Sequence, residues 1–342
     1  MPQTGSTDFR EIVFDTLSKR RGSGITQREL ELLYGYSKSY ISEVLGQLEV
    51  KGLIVRKEEW GNTKRIWASE YFPHFRAGII RVGTLKSTEY VPFLSFLKNF
   101  CLEKGYSLKI IPYNDLHSLM NDHCSGLLEI SCAPLLAQIM FSMVNGNIAI
   151  GGAVATGGSY IIENRICETG SFATTESSSM ILITRQFLSE HPGASVVPFT
   201  DPFKTTEDFL NGIHRYISIW EPFASLLLKQ SANMLKVTSF GELLDGLPCC
   251  SFAFSREFLS HEETVISSIR SGYEKYDKDG LSDDEIFHIS QDLSLTGIDR
   301  DILSDSVKNY NFKCSLGPDI LREYLEKAQL PFTEGAVLKV FL

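Results

Sequence analysis

The chain has 342 residues, 43% of them hydrophobic and 22% charged, with a net charge of −9. That balance excludes a disordered, collagen-like or disulfide-framework chain, and the length leaves room for two or three domains. A chain this acidic does not coat DNA or an anionic membrane over its whole surface, so charge has to be counted by segment. The opening MPQTGSTDFREIVFD is polar and acidic, without the basic stretch and apolar core of a secretion signal, so none is expected. Seven cysteines fall at 101, 124, 132, 167, 249, 250 and 314, with no C-x-x-C among them. The adjacent Cys249 and Cys250 do not easily chelate one zinc together, and they bond to each other only with backbone strain. Reduced, buried thiols in a cytoplasmic protein are expected, with Cys249 as a redox switch the other reading.

Residues 1–76 hold 12 Lys and Arg against 10 Asp and Glu, a net of +2, and the rest of the chain has a net of −11. Within this head, Phe9, Ile12, Val13 and Leu17 share one face of a first helix. Thr26 followed by Glu29 forms a capping box for a short helix that stops at Gly35. Ser37 caps a third helix whose buried stripe is Ile41, Val44, Leu45 and Leu48, and which Gly52 ends. Leu53–Lys57 and Arg65–Ala68 read as two strands around 60–63.

This layout suits a winged helix-turn-helix. The segment ITQRELELLYGYSKSYISEVLGQLEVKGLIVRKEEWGNTKRIW resembles the MarR/IclR-type winged-helix domains over about 8–72, most specifically at the Q-L-E-x-K-G-L-I junction. With the stripe buried, Lys38, Ser39 and Tyr40 at the start of the third helix are the expected base contacts. Lys57, Lys64 and Arg65 on the wing are the expected phosphate or minor-groove contacts. Glu43, Glu58 and Glu59 count against strong DNA binding, and a winged helix used only for protein contacts is the other reading.

From Ala77 the pattern alternates strand and helix. Strands are expected at 79–83, 108–111, 127–131 and 148–153, and helices at 89–104, 115–123 and 134–144. Short loops join them, so a parallel sheet covered on both faces is expected. Residues 130–162 carry no charged side chain, but Pro134, Gln138 and two Gly pairs break the stretch, so it reads as buried core rather than a membrane span. Hydroxyl-rich segments follow strands at Lys86-Ser87-Thr88, at Thr156-Gly157-Gly158-Ser159 and at Thr174-Thr175-Glu176-Ser177-Ser178-Ser179. Each opens a helix or leaves a strand end, where free N–H groups meet anions or small polar molecules. Taken singly, such residues are ordinary helix caps.

The segment IIRVGTLKSTEYVPFLSFLKNFCLEKGYSLKIIPY resembles the opening of periplasmic-binding-protein type II receptors, of the nitrate/sulfonate/bicarbonate and NMT1-like thiamine-precursor groups. AIGGAVATGGSYII, ETGSFATTESSSMILI, ISIWEPFASLLLK, PCCSFAFSREFLSHEETVISSI and LTGIDRDILSDSVKNYNF extend the likeness over 78–330. The resemblance implies cleft residues at Ser87, Thr88, Gly157, Gly158, Ser159, Ser177, Ser178, Trp220 and Glu221. Trp220 also reads as plain core, and Glu221 as a helix cap.

A P-loop, an H-E-x-x-H, a G-x-S-x-G and a G-x-G-x-x-G are all missing. His117, His123 and Cys124 have a poor zinc spacing, and 275–286 lacks the carboxylates of an EF-hand. The expected fold class is α/β: a two-lobed periplasmic-binding-protein type II-like body with a small N-terminal winged helix-turn-helix domain. The expected domains are 1–76, binding DNA, and 77–342, with lobe crossings near 157–164 and 247–256. The expected function is a ligand-responsive one-component transcriptional regulator, cytoplasmic and not an enzyme. It would bind double-stranded DNA as a homodimer and take a small anionic or heteroaromatic effector, either nitrate- or sulfonate-like or a thiamine pyrimidine precursor. No cofactor, metal or membrane partner is expected. The alternatives are a precursor-biosynthesis enzyme and a cytoplasmic solute receptor on the same fold.

Overall fold

Asp8 accepts a hydrogen bond from the Arg10 amide and so starts the first helix, α1 (Phe9–Arg20), of the computed structural model. The structure describes residues 8–60, 63–168, 170–175, 178, 180–191, 193–239, 241, 246–329 and 332–341. They divide into two units, Met1–His74 and Phe75–Leu342. In the first unit α1 buries Phe9, Val13 and Leu17. After β1 (Ile25–Thr26), α2 (Gln27–Tyr34) opens on the capping box that the spacing predicts, with the Thr26 amide donating to Glu29 Oε2 at 2.7 Å. It stops at Gly35, whose φ of 70° suits glycine. Ser37 caps α3 (Lys38–Val50), which buries Ile41, Val44, Leu45 and Leu48. Two strands, β2 (Ile54–Trp60) and β3 (Thr63–Ala68), pair antiparallel and run longer than the sequence suggests. With β1 on the other side of β3 they make the sheet β1-β3-β2.

The second unit begins with β4 (Ile79–Leu85), α4 (Val91–Lys104), β5 (Ser107–Tyr113), α5 (Leu116–Cys124), β6 (Ile130–Pro134), α6 (Leu135–Asn145) and β7 (Ile148–Gly157). Strand β4 pairs in parallel with β5 and β6. The expected parallel neighbour β7 does not touch β6. The chain first builds a second lobe from β8 (Ser159–Asn164), β9 (Ser171–Thr174), α7 (Met180–Glu190), β10 (Ser195–Pro198), α8 (Pro202–Leu210), β11 (Tyr216–Trp220), α9 (Phe223–Gln230) and β12 (Met234–Ser239). It then returns as β13 (Cys250–Ser255), antiparallel to both β6 and β7 and lying between them. Every residue of β13 is buried, as a central strand covered on both faces requires.

The remaining elements are α10 (Arg256–His261), α11 (Glu263–Lys275), α12 (Asp283–Asp292), α13 (Arg300–Val307), β14 (Tyr310–Asn311), α14 (Pro318–Lys327) and α15 (Glu334–Val340). Helices α11 and α12 pack on α4, and β14 pairs with the end of β7. The sheets are thus β14-β7-β13-β6-β4-β5 in the first lobe and β10-β9-β11-β8-β12 in the second. The uncharged stretch 130–162 folds as β6, α6, β7 and most of β8. No helix among the described residues is long and apolar enough to cross a membrane.

Behind β6 lies a buried polar network. His123 Nδ1 sits 2.6 Å from Ser131 Oγ, and Gln138 Nε2 donates to the Ser131 and Ser251 carbonyls. Burial pushes the His123 imidazole down to about 3. The unfolded chain takes up a proton below about pH 6.5 that the fold refuses, so the stability from neutral His123 is complete above that pH. It is lost as pH falls from there towards 3. Urea unfolding at pH 7 and pH 5 should differ by about 2 kcal/mol through this group. The difference should shrink by that amount in His123→Leu.

Candidate functional site

The carboxyl end of β4 runs into Lys86-Ser87-Thr88, where Ser87 Oγ accepts the Glu89 amide of a short helical turn. Across from it, β11 ends at Trp220-Glu221. Between these ends lies a cavity of about 500 Å³. Lys86, Ser87, Glu89 and Tyr90 line it from the first lobe, Ser159, Thr175, Ser178, Lys204 and Trp220 from the second, and Cys249 and Cys250 at the return strand.

The lobes are tied along one edge of this cavity. Trp220 Nε1 donates to the Lys86 carbonyl at 2.9 Å, and Ser87 Oγ donates to the Glu221 carbonyl at 3.2 Å. The Tyr310 hydroxyl donates to the same carbonyl at 3.3 Å. The Glu221 carboxylate is buried and accepts from Ser225 N–H, Ser225 Oγ and Asn309 Nδ2.

The cleft residues implied by resemblance therefore separate. Ser87, Ser159, Ser178 and Trp220 line the cavity. Thr88 is buried and accepts from Ser306 Oγ at 2.9 Å, away from the lining. Gly157 and Gly158 form the crossing between lobes, and Gly158 lies against the Tyr310 ring. Glu221 supports the edge through its carbonyl. Ser177 lies outside the described residues.

Three lining residues carry further chemistry: Cys249 and Cys250, which the sequence already marks as an adjacent thiol pair, and Glu89, which no motif marks. The Glu89 carboxylate oxygen and the two sulfurs all lie within 4.8 Å of one another, and all three residues are buried. Cys249 Sγ donates to Glu89 Oε2 at 3.8 Å and to the Ala155 carbonyl at 3.3 Å, and the Tyr90 hydroxyl donates to Cys250 Sγ at 3.7 Å. Burial pushes the Glu89 carboxyl up, against hydrogen bonds from Cys250, Tyr90 and Ser87 that lower it. A hydrogen bond from Cys250 pulls the Cys249 thiol down, but burial and Glu89 carry the net shift upward. Burial holds Cys250 well above the ordinary thiol range. The carboxyl beside Ser87-Thr88 was visible in the sequence, but nothing there shows that it faces inward.

Of the other acidic lining residues, Asp208 stands near His214, and two have partners at helix starts. Asp115 caps α5 by accepting the Ser118 amide, and Asp201 caps α8 by accepting the Phe203 and Lys204 amides. Lys86 and Lys204 make no ion pair among the described residues; Lys86 Nζ lies 5.4 Å over the Phe203 ring.

In the first unit, the residues expected to touch DNA are largely engaged at home. Arg65 pairs with Glu59 and donates to the Ser23 carbonyl. Lys57 Nζ lies 6.0 Å over the Phe72 ring, and Lys64 stands opposite Glu58 across the hairpin. Tyr40 stacks on Phe9 with ring centres 5.6 Å apart, and Ser39 Oγ lies 3.1 Å from Ser37 Oγ. Lys38 is exposed at the start of α3.

No protein-family profile and no curated protein matches the chain. Solved structures do. The ligand-binding component of an ABC-type import system from Staphylococcus aureus, with zinc bound, is 17% identical, covering 73% of this chain and 91% of that chain at a TM-score of 0.61. The periplasmic aliphatic sulphonate binding protein SsuA from Escherichia coli is 12% identical, covering 78% and 98% at 0.59. The periplasmic nitrate-binding protein NrtA from Synechocystis PCC 6803 is 12% identical, covering 77% and 85% at 0.58. The chain has the α/β fold of the periplasmic binding proteins. The expected transcriptional regulator is thereby overturned, and with it the double-stranded DNA partner, the homodimer on DNA and the cytoplasmic placement. The similar proteins are a ligand-binding component of an import system and two periplasmic binding proteins. In the head, charge counted along the chain does not show that Arg56 and Arg65 pair with Glu49 and Glu59 and that Lys64 stands opposite Glu58.

Proposed function

We propose that the second unit is a solute receptor whose two lobes close on a small anion bearing a polar or flat apolar part. The observation that carries this reading is the lining of the interlobe cavity. Lys86 and Lys204 reach it without an ion pair among the described residues, beside Ser87, Ser159, Thr175 and Ser178. Asp115 and Asp201 spend their carboxylates on helix starts, and Asp208 lies near His214, so Lys86, Lys204 and the hydroxyls are the groups that favour an anion. Trp220, 6.1 Å from Phe199 and nearly parallel to it, supplies an apolar wall. The names of the similar proteins, a sulphonate-binding and a nitrate-binding protein, agree with an anion. Residues 1–76 are proposed to form a separate domain of winged-helix type, which the three helices and the β1-β3-β2 sheet support.

Calorimetric titration of the full chain with nitrate, ethanesulfonate and phosphate tests the receptor reading. One of these anions should bind saturably at one site and change the tryptophan fluorescence. The change should disappear in Trp220→Phe. Ser87→Ala and Lys204→Ala should each weaken binding about tenfold. Anion affinity untouched by either substitution would remove the site from this cavity.

A further inference from the structure

We infer that the cavity wall formed by Glu89, Cys249 and Cys250 captures a trivalent arsenical. Two thiols on consecutive residues and one carboxyl converge here within 4.8 Å, buried yet lining an open cavity. Among the described residues no fourth His, Cys, Asp or Glu joins the group. A structural zinc ion takes four ligands spread tetrahedrally. Trivalent arsenic takes three, arranged as a pyramid with angles near a right angle: here the two sulfurs and one hydroxyl or organic group that the arsenic keeps. Neighbouring side chains of one strand end meet that narrow geometry more easily than a tetrahedral one.

The charge state points the same way. The net shift of both thiols is upward, so both are protonated near pH 7, and burial raises the carboxyl beside them. A divalent cation has to expel thiol protons from this apolar setting before it binds. Arsenous acid, As(OH)₃, enters as a neutral molecule. Two As–S bonds form, two As–O and two S–H bonds break, and two water molecules leave. Arsenic stays trivalent and the product stays neutral. The remaining As–OH is left within reach of the Glu89 carboxyl, which holds it by a hydrogen bond. A monosubstituted arsenical, R–As(OH)₂, reacts in the same way and keeps its organic group, for which the cavity has room.

The inference uses the same cavity as the receptor reading and does not rest on it: anion binding without arsenical capture, or the reverse, leaves the other standing. The test uses the full reduced chain with arsenite and with phenylarsine oxide as probes. Arsenite should shield Cys249 and Cys250 from alkylation of the folded protein, read peptide by peptide, and phenylarsine oxide should add once per chain by intact mass. Losing either thiol removes the second, intramolecular bond, so Cys249→Ser and Cys250→Ser should each weaken phenylarsine oxide binding about a hundredfold. Cys124→Ser should leave it unchanged. The mapping on the unsubstituted chain decides the matter if a serine variant does not fold. Protection of other cysteines, affinity kept in both serine variants, or Zn²⁺ alone displacing arsenite from this pair would each overturn the inference.

Discussion

Replacing Glu129 with alanine should destabilise the protein by about 3–5 kcal/mol, the range for stranding one half of a buried ion pair. Arg81 and Glu129 are each only 2% exposed. Glu129 Oε2 accepts the Arg81 amide at 2.7 Å and Arg81 Nε at 2.9 Å, and Oε1 accepts Nη2 at 2.6 Å. Arg81 Nη2 also donates to the Gly126 carbonyl at 3.1 Å. Without Glu129 the guanidinium keeps the Gly126 carbonyl but loses its counter-charge in a setting that excludes water. The urea midpoint should fall with an unchanged slope. The double replacement Arg81→Met with Glu129→Leu should recover most of the loss, because the desolvated charge leaves with its partner. A single substitution costing under about 1 kcal/mol would show that water reaches Arg81.

Gly158→Ala should be the next most costly change, at about 2–3 kcal/mol. Gly158 has φ of 65°, and an added Cβ would fall 2.0 Å from Tyr310 Cε1 and 2.4 Å from Cδ1 and Cζ. The Tyr310 ring is buried and cannot yield without moving its hydroxyl from the Glu221 carbonyl and from Ser87 Oγ, 3.1 Å away. The substitution should therefore lower the melting temperature and weaken solute binding together, since the Tyr310 contact that ties the lobes shifts. In a Tyr310→Ala background the same substitution should cost at least about 1 kcal/mol less. Equal cost in both backgrounds would assign the effect to backbone strain alone.

Both predictions fall where contacts between distant segments add to what the chain shows locally. A strand was expected over 127–131, but β6 starts at Ile130, because the preceding segment bends to offer Gly126 and Glu129 to Arg81. The pair Gly157-Gly158 looked like a ligand loop, the usual use of small residues beside hydroxyls. The structure uses Gly158 to admit the Tyr310 ring, a residue that no local pattern connects to it. The head shows the same limit: charge counted along a chain does not show that Arg65 pairs with Glu59 once the hairpin forms.

What the sequence by itself determined is what local spacing controls. The Thr26 and Glu29 capping box, the Ser37 cap, the Ile41 to Leu48 stripe and the hydroxyl-rich end of β4 all depend on residues within a turn or two of one another. The α/β class follows from the same periodicities. Only the tertiary structure decided what depends on distant segments meeting. Strand β13 enters between β6 and β7 because the chain finishes a whole lobe before returning. Trp220 reaches the Lys86 carbonyl, 134 residues away, and Cys249 reaches Glu89 across 160. Such contacts have no period to read, since the free energy that selects them comes from burying one lobe's surfaces against another's.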